Sequence, residues 1–233
     1  MAEATDAPRG KGAGPREIPC LLVRKGRVFH PGPEGPEPTV YEGGAPVEVF
    51  DAFDRLVKQN RRIYVVDLDG IEHNEPQLDL WQEISRDADL WIDAGPPNAD
   101  MVVDVIVSGA RRAILSTARL SGLQEVRRAW KLSQELAFEI ELVDGVVPAS
   151  AREWAGRRPE ELAADIRAIG PEIIILSPRG QDVDWELVRK VSEGGSTWVG
   201  GSYQRGSVDQ LARAGARGGI FHPPAESWTP PPS

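Results

Sequence analysis

Leu90-Trp91-Ile92-Asp93-Ala94-Gly95, followed after an amphipathic stretch by Gly109-Ala110-Arg111-Arg112-Ala113-Ile114-Leu115, decides the fold, because the chain nearly writes it twice. The echo is Thr197-Trp198-Val199-Gly200-Gly201, then Gly215-Ala216-Arg217-Gly218-Gly219-Ile220-Phe221. Gly95 and Gly201 stand 106 residues apart, and so do Gly109 and Gly215. Each copy reads as an apolar strand ending in glycine, a helix, and a second apolar strand after Gly-Ala-Arg. A duplicated set of such units, about eight strands in all, predicts an α/β protein: a closed (β/α)8 TIM barrel built from two similar half-barrels. Its functional face is the set of loops that follow the strands.

Composition is consistent with one domain. A chain of 233 residues with 40% hydrophobic content is long enough for one sizeable core. The net charge of −9 and the pI near 5.0 argue against a nucleic-acid partner, since phosphate backbones are held by clustered Lys and Arg. Pairs such as Arg61-Arg62 and Arg127-Arg128 read as solvated helix ends. Cys20 is the only cysteine, so an internal disulfide is impossible and a cytoplasmic location is expected. No run approaches the roughly 18 apolar residues of a membrane span, so no membrane partner is expected. Residues 1–16 lack the apolar centre of a secretory signal and read as a disordered tail. Residues 17–222 are the expected barrel. Residues 223–233 are proline-rich and cannot form a helix, so the final helix is expected to be absent or replaced by this tail.

Eight strands alternate with helices along the chain. Strands are expected at Ile18–Val23, Arg62–Gly70, Leu90–Gly95, Ala113–Leu115, Phe138–Asp144, Glu172–Leu176, Thr197–Gly200 and Arg217–Phe221. Pro31 to Pro38 reads as a long loop, and Pro46 as the opening of the first helix. Later helices are expected over Pro76–Ala88, Asn98–Val107, Leu120–Leu136, Pro159–Ile169, Val183–Val191 and Ser207–Ala214, with Val146–Arg158 irregular.

Four stretches taken together resemble a known family. Ile18-Pro19-Cys20-Leu21-Leu22-Val23-Arg24-Lys25-Gly26-Arg27-Val28, Val65-Val66-Asp67-Leu68-Asp69-Gly70, Ser108 to Ala118, and Gly200-Gly201 are similar, in order and spacing, to the histidine-pathway barrels. These are ProFAR isomerase (HisA) and the cyclase subunit of imidazole glycerol phosphate synthase (HisF). The resemblance covers roughly Glu17 to Phe221 and implies a phosphorylated small molecule as ligand, with a phosphate at each end. It assigns phosphate contacts to Ser116 and Thr117 after the fourth strand, and to Gly200 and Gly201 after the seventh. Gly95, Asp67 and Asp69 belong to the same ligand-binding set. Glycines suit this task because backbone amides approach phosphate oxygens with no Cβ in the way. Two positions depart from the pattern: Pro96-Pro97 offers no amide donors, and His222-Pro223-Pro224 stands where small residues are expected.

The resemblance also implies acid–base isomerisation of an aminoaldose by two aspartates, one ending strand one and one ending strand five. Such chemistry needs one carboxyl to donate while another accepts. Asp144 is the expected strand-five catalytic residue, but Leu22 stands at the strand-one position and cannot move a proton. Substitute carboxyls are available, since Asp67, Asp69 and Asp93 also end strands on the functional face, and Asp93 is set beside Asp144 as a catalytic candidate. The alternative for Asp144-Gly145 is ordinary turn chemistry. The residues carry no metal-ligand spacing, so no metal and no cofactor are expected. Trp228 in the proline-rich tail has a purpose only if it docks, and the tail or a homodimer partner would cover the gap left by a missing helix.

Two functions follow. The first is a HisA-related barrel binding a phosphorylated ribosyl or aminosugar metabolite, an intramolecular aldose–ketose (Amadori-type) isomerase if active. The second is a re-purposed barrel that acts on another phosphometabolite, or serves without catalysis as a structural partner.

Overall fold

The computed structural model describes residues 14–41, 43–148, 153–224 and Trp228. Most of the expected N-terminal tail, four residues of the irregular segment and most of the C-terminal tail lie outside them.

Alternating apolar residues in strand after strand give each strand one face for the barrel axis and one for the helices. Strand β1 (Arg16–Arg24) is followed by a hairpin of β2 (Arg27–Gly32) and β3 (Gly35–Pro38), then by α1 (Val49–Leu56). Next come β4 (Arg62–Asp67), α2 (Leu68–His73), α3 (Leu78–Ile84), β5 (Asp89–Asp93) and α4 (Ala99–Val107). They are followed by β6 (Arg112–Ser116), α5 (Leu123–Leu132), β7 (Leu136–Val143), α6 (Pro159–Ile169) and β8 (Ile174–Arg179). The last are α7 (Trp185–Glu193), β9 (Thr197–Val199), α8 (Val208–Arg213) and β10 (Gly218–Phe221). Strands β1 and β4 to β10 pair in parallel, and β10 returns to β1 at Arg16 to Pro19, so the sheet closes. This is the TIM barrel that the repeat predicts.

Two apolar layers result. Ile18, Cys20, Leu22, Tyr64, Ile114 and Ile175 face the axis, while Leu21, Val23, Ile63, Val65 and Leu115 meet the helices. Trp91 and Trp198 fill the inner end edge to face, with centroids 5.0 Å apart, and the Arg62 guanidinium lies 4.8 Å over the Trp91 ring. Their indole N–H groups have no acceptor among the described residues, a cost of about 1–3 kcal/mol each that burial of the rings must offset. Trp228 is buried and belongs to the layer between sheet and helices. Among the described residues no helix follows β10, and no helix is long and apolar enough to cross a membrane.

Several local expectations change. Pro31 to Pro38 is not a loop: it lies in the hairpin, where Pro31 pairs with Pro36 and Phe29 with Pro38. A Lys25-Gly26 turn with both φ positive (49° and 72°) swings β2 back onto β1, the geometry that matches strand twist in two-residue hairpins. Pro46 does not open α1. It bridges to Val40, and the Val47 N–H donates to the Thr39 carbonyl at 2.9 Å, so the chain stays extended until Val49. The second barrel strand stops at Asp67, because its carboxylate accepts the Gly70 N–H at 3.1 Å and caps α2. Strand β8 runs beyond Leu176 to Arg179, since Ser177, Pro178 and Arg179 pair with Glu141, Leu142 and Val143.

Candidate functional site

The strand ends surround a cavity of about 450 Å³ at the mouth of the barrel. Its deep end is formed by Cys20 of β1, Tyr64 of β4, Asp93 of β5 and Glu139 of β7, all buried. Each occupies an axis-facing position of its strand. The Tyr64 hydroxyl donates to Glu139 Oε2 at 2.8 Å, and the Gly95 N–H donates to Asp93 Oδ1 at 2.9 Å. Arg179, Gly200, Gly201 and His222 border the open end, while the hairpin contributes Pro31, Gly32, Gly35 and Pro36.

Burial dominates the electrostatics of the deep end. It pushes the Asp93 carboxyl up to about 8, with the Glu139 charge adding to the rise and the Gly95 amide opposing it. Asp93 therefore carries a proton at neutral pH. Burial likewise pushes the Cys20 thiol and the Tyr64 phenol upward, and Glu139 reinforces both. At the open end burial lowers His222 to about 4, helped by the Arg179 charge, so the imidazole is neutral at pH 7. Arg179 pairs with Glu141, whose carboxyl is raised by burial against the pull of that guanidinium.

The glycine loop after β9 is tightly specified. Gly201 has φ 58°, and a Cβ there would fall 2.1 Å from the Pro178 carbonyl oxygen. The Ser202 N–H and hydroxyl both donate to that carbonyl, at 3.0 and 3.1 Å, so the loop is latched to β8. Only glycine satisfies both the backbone angle and the close approach.

Of the residues singled out from sequence, Asp93, Gly200 and Gly201 border the cavity together. Asp67 is fully buried and engaged elsewhere: it accepts the Gln77 N–H at 2.7 Å and the Trp81 indole N–H at 2.6 Å, besides capping α2. Asp69 accepts the Lys25 N–H at 2.7 Å and so holds the hairpin turn. Thr117 Oγ1 accepts the Glu141 N–H at 3.0 Å, and neither Thr117 nor Ser116 nor Gly95 borders the cavity. Asp144 is exposed, with φ 52°, in a turn closed by mutual backbone bonds of Val143 and Val146, and it does not border the cavity. The inward carboxyls of this strand are Glu139 and Glu141, which share parity with Ala137 at the barrel axis.

Glu139, Tyr64, Arg179 and His222 were not singled out from sequence as site residues. A signal for Glu139 existed, since Ala137-Phe138-Glu139-Ile140-Glu141-Leu142 places two charges at alternate positions of a strand covered on both faces. Such a charge is costly unless paired or functional.

The chain matches the family described as histidine biosynthesis protein over residues 16–220. No curated protein is significantly similar to it. With the closed parallel barrel, the doubled half-barrel and a family match spanning most of its length, the chain belongs to the histidine biosynthesis protein family, the HisA/HisF barrels.

Proposed function

We propose that the mouth of the barrel binds a phosphorylated ribosyl or aminosugar metabolite, with the phosphate at Gly200-Gly201 and Arg179 and the reacting end at Asp93 and Glu139. The observation that carries this reading is one 450 Å³ cavity joining a glycine loop and a cation at its open end to a protonated carboxyl at its deep end. Membership of the family adds support for a phosphometabolite in the cytoplasm.

An Amadori-type isomerisation fits this pair. Asp93 gives its proton to the ring oxygen as the ring opens, and Glu139 takes the proton from the carbon next to the anomeric centre. That proton then passes to the anomeric carbon while the neighbouring hydroxyl returns one to Asp93, so both carboxyls end as they began. Asp93 thus stands in for the acid that Leu22 cannot supply. A barrel that binds its metabolite without turning it over is the second reading, favoured by Leu22 itself, which borders the cavity.

Thermal melting with ribose 5-phosphate, ProFAR and inorganic phosphate tests the binding. A ligand at 100 times its Kd adds about 2.7 kcal/mol. A rise in Tm with a phosphorylated sugar, lost in Gly201→Ala, is the expected result. No rise with any of the three overturns the proposal. Turnover of a bound ligand, lost in Asp93→Asn with binding retained, separates the two readings.

A further inference from the structure

We propose that Tyr64 is the positioning residue of the acid–base pair: its hydroxyl, reaching across the barrel from β4 to Glu139 on β7, keeps the charge on Glu139 and leaves the proton to Asp93. This rests on the reading that Asp93 donates and Glu139 accepts, and it assigns what tells two buried carboxyls apart.

The bond crosses the barrel. In the closed parallel ring β4 is three strands from β7, and the Tyr64 hydroxyl donates to Glu139 Oε2 at 2.8 Å. Among the described residues no other group donates to the Glu139 carboxyl, and the phenol has no other acceptor. Both residues are buried, so without this bond a hydroxyl and a carboxyl would each be desolvated and unmet.

The two carboxyls are otherwise alike. Both border the cavity, both are 7% exposed, and each accepts one hydrogen bond, Asp93 Oδ1 taking the Gly95 N–H at 2.9 Å. They differ in the donor they receive. A phenol, which ionises near pH 10 when unperturbed, is a stronger donor than a peptide N–H, and a bond to a charged acceptor is about twice as strong as a neutral one. The phenol therefore gains more from a charge on Glu139 than the amide gains from a charge on Asp93, on the order of tenfold in population. Asp93 keeps the Gly95 N–H on Oδ1 while its other oxygen carries the proton.

Tyr64 does not itself supply the proton. Burial pushes the phenol upward, and the Glu139 and Asp93 charges add to the rise, so it stays a donor. The other ionisable groups facing the pair are Cys20 from β1, Glu141 from β7 and Arg179 from β8. Arg179, paired with Glu141, favours a charge on Asp93, and the Glu139 charge outweighs it.

The test is a carbon-13 NMR titration of the side-chain carboxyls in the full chain without ligand, with Asp93→Asn and Glu139→Gln assigning the two signals. In the parent chain the step near pH 8 is expected on the Asp93 carbon, with no more than about a tenth of it on that of Glu139. In Tyr64→Phe, which keeps the ring and loses only the oxygen, the step is expected to divide about equally between the two carbons. The unliganded melt checks the fold of this variant, and Tyr64→Met, which also lacks an O–H and adapts to irregular gaps, repeats the reading if the phenylalanine does not fold. A step that stays on Asp93 without the hydroxyl overturns the positioning role, and a parent-chain step on Glu139 overturns it together with the assignment of acid and base. No ligand enters this titration, so a failure of phosphorylated sugars to raise Tm would overturn the proposed function and leave the Tyr64 result standing.

Discussion

At the end of β9, Trp198 is followed by Val199-Gly200-Gly201 and the loop borders the cavity; at the end of β5, Trp91 is followed by Ile92-Asp93-Ala94-Gly95 and the glycine does not. The two glycines are conformational twins, with φ 60° at Gly95 and 58° at Gly201. The two tryptophans are the twins on the axis, yet they are 107 residues apart where the glycines are 106 apart. The first half therefore carries one extra residue between tryptophan and glycine. Backbone pairing shows the same slip, since Arg111 donates to the Leu90 carbonyl and Arg217 to that of Thr197. Counted from the tryptophans, Asp93 and Gly200 hold the same place, two residues on, and the extra residue of the first half falls between Asp93 and Gly95. Duplication preserved the barrel, while a carboxyl at one matched place and a glycine at the other give the two halves different chemistry.

The largest effect bears on what the halves still share. Trp198→Ala is expected to cost about 3–5 kcal/mol in urea or thermal unfolding, the range for emptying a buried aromatic site. Trp91→Ala should cost a similar amount, and the double variant less than the sum, because the rings touch. Additive losses would mean that the two half-barrels are stabilised independently.

The glycine loops should differ. Gly201→Ala places a Cβ against the Pro178 carbonyl, so a loss of about 3 kcal/mol and of phosphate-ligand binding is expected. Gly95→Ala meets Ile71 Cγ1 at 2.8 Å and Ile71 Cα at 3.0 Å, a milder clash than the 2.1 Å approach at Gly201. It should cost less and leave binding intact, which titration with a phosphorylated sugar checks.

Asp93 makes the contrast pH-dependent. Its folded pKa of about 8 lies above its ordinary value of 3.8, so its stabilising contribution is complete below pH 4 and lost as pH rises through 8. His222 works oppositely, its lowered value making stability rise between about pH 4 and 6.5. The window above pH 6.5 therefore belongs mainly to Asp93, where stability should fall by on the order of 2 kcal/mol by pH 8. Denaturant titrations at pH 6.5 and 8.5 should show the fall in the parent chain and much less of it in Asp93→Asn.

The smallest effect concerns the turn after β7. Asp144→Asn should change stability by no more than about 0.5 kcal/mol, since asparagine tolerates the left-handed conformation at this exposed site. It should leave ligand binding unchanged. A loss of binding in isothermal titration would return Asp144 to the site.

Much of this architecture was legible in the residues. Helix α6 spans Pro159–Ile169 as the sequence predicts, and α4 starts after Asn98, whose side chain accepts the Asp100 and Met101 N–H groups. Strand order and closure follow from the doubled βα pattern, because local periodicity and turn chemistry act over a few residues. Of the residues that border the cavity, Asp93 and Gly200-Gly201 were legible because they end strands. Asp67 and Asp69 also end a strand or open the next helix, yet they cap and brace it, and only their bonding partners reveal this.

What the amino-acid order decides alone is the barrel: eight strands, their sequence around the axis, and the face on which chemistry must lie. Which carboxyls meet there was settled only by tertiary structure. A strand shifted by one residue turns every side chain to its other face, so Glu139 lines the cavity with Asp93 while Asp144 lies beyond the strand in solvent. The proton on Asp93 likewise needs the closed sheet, since burial and a charge from a distant strand raise it.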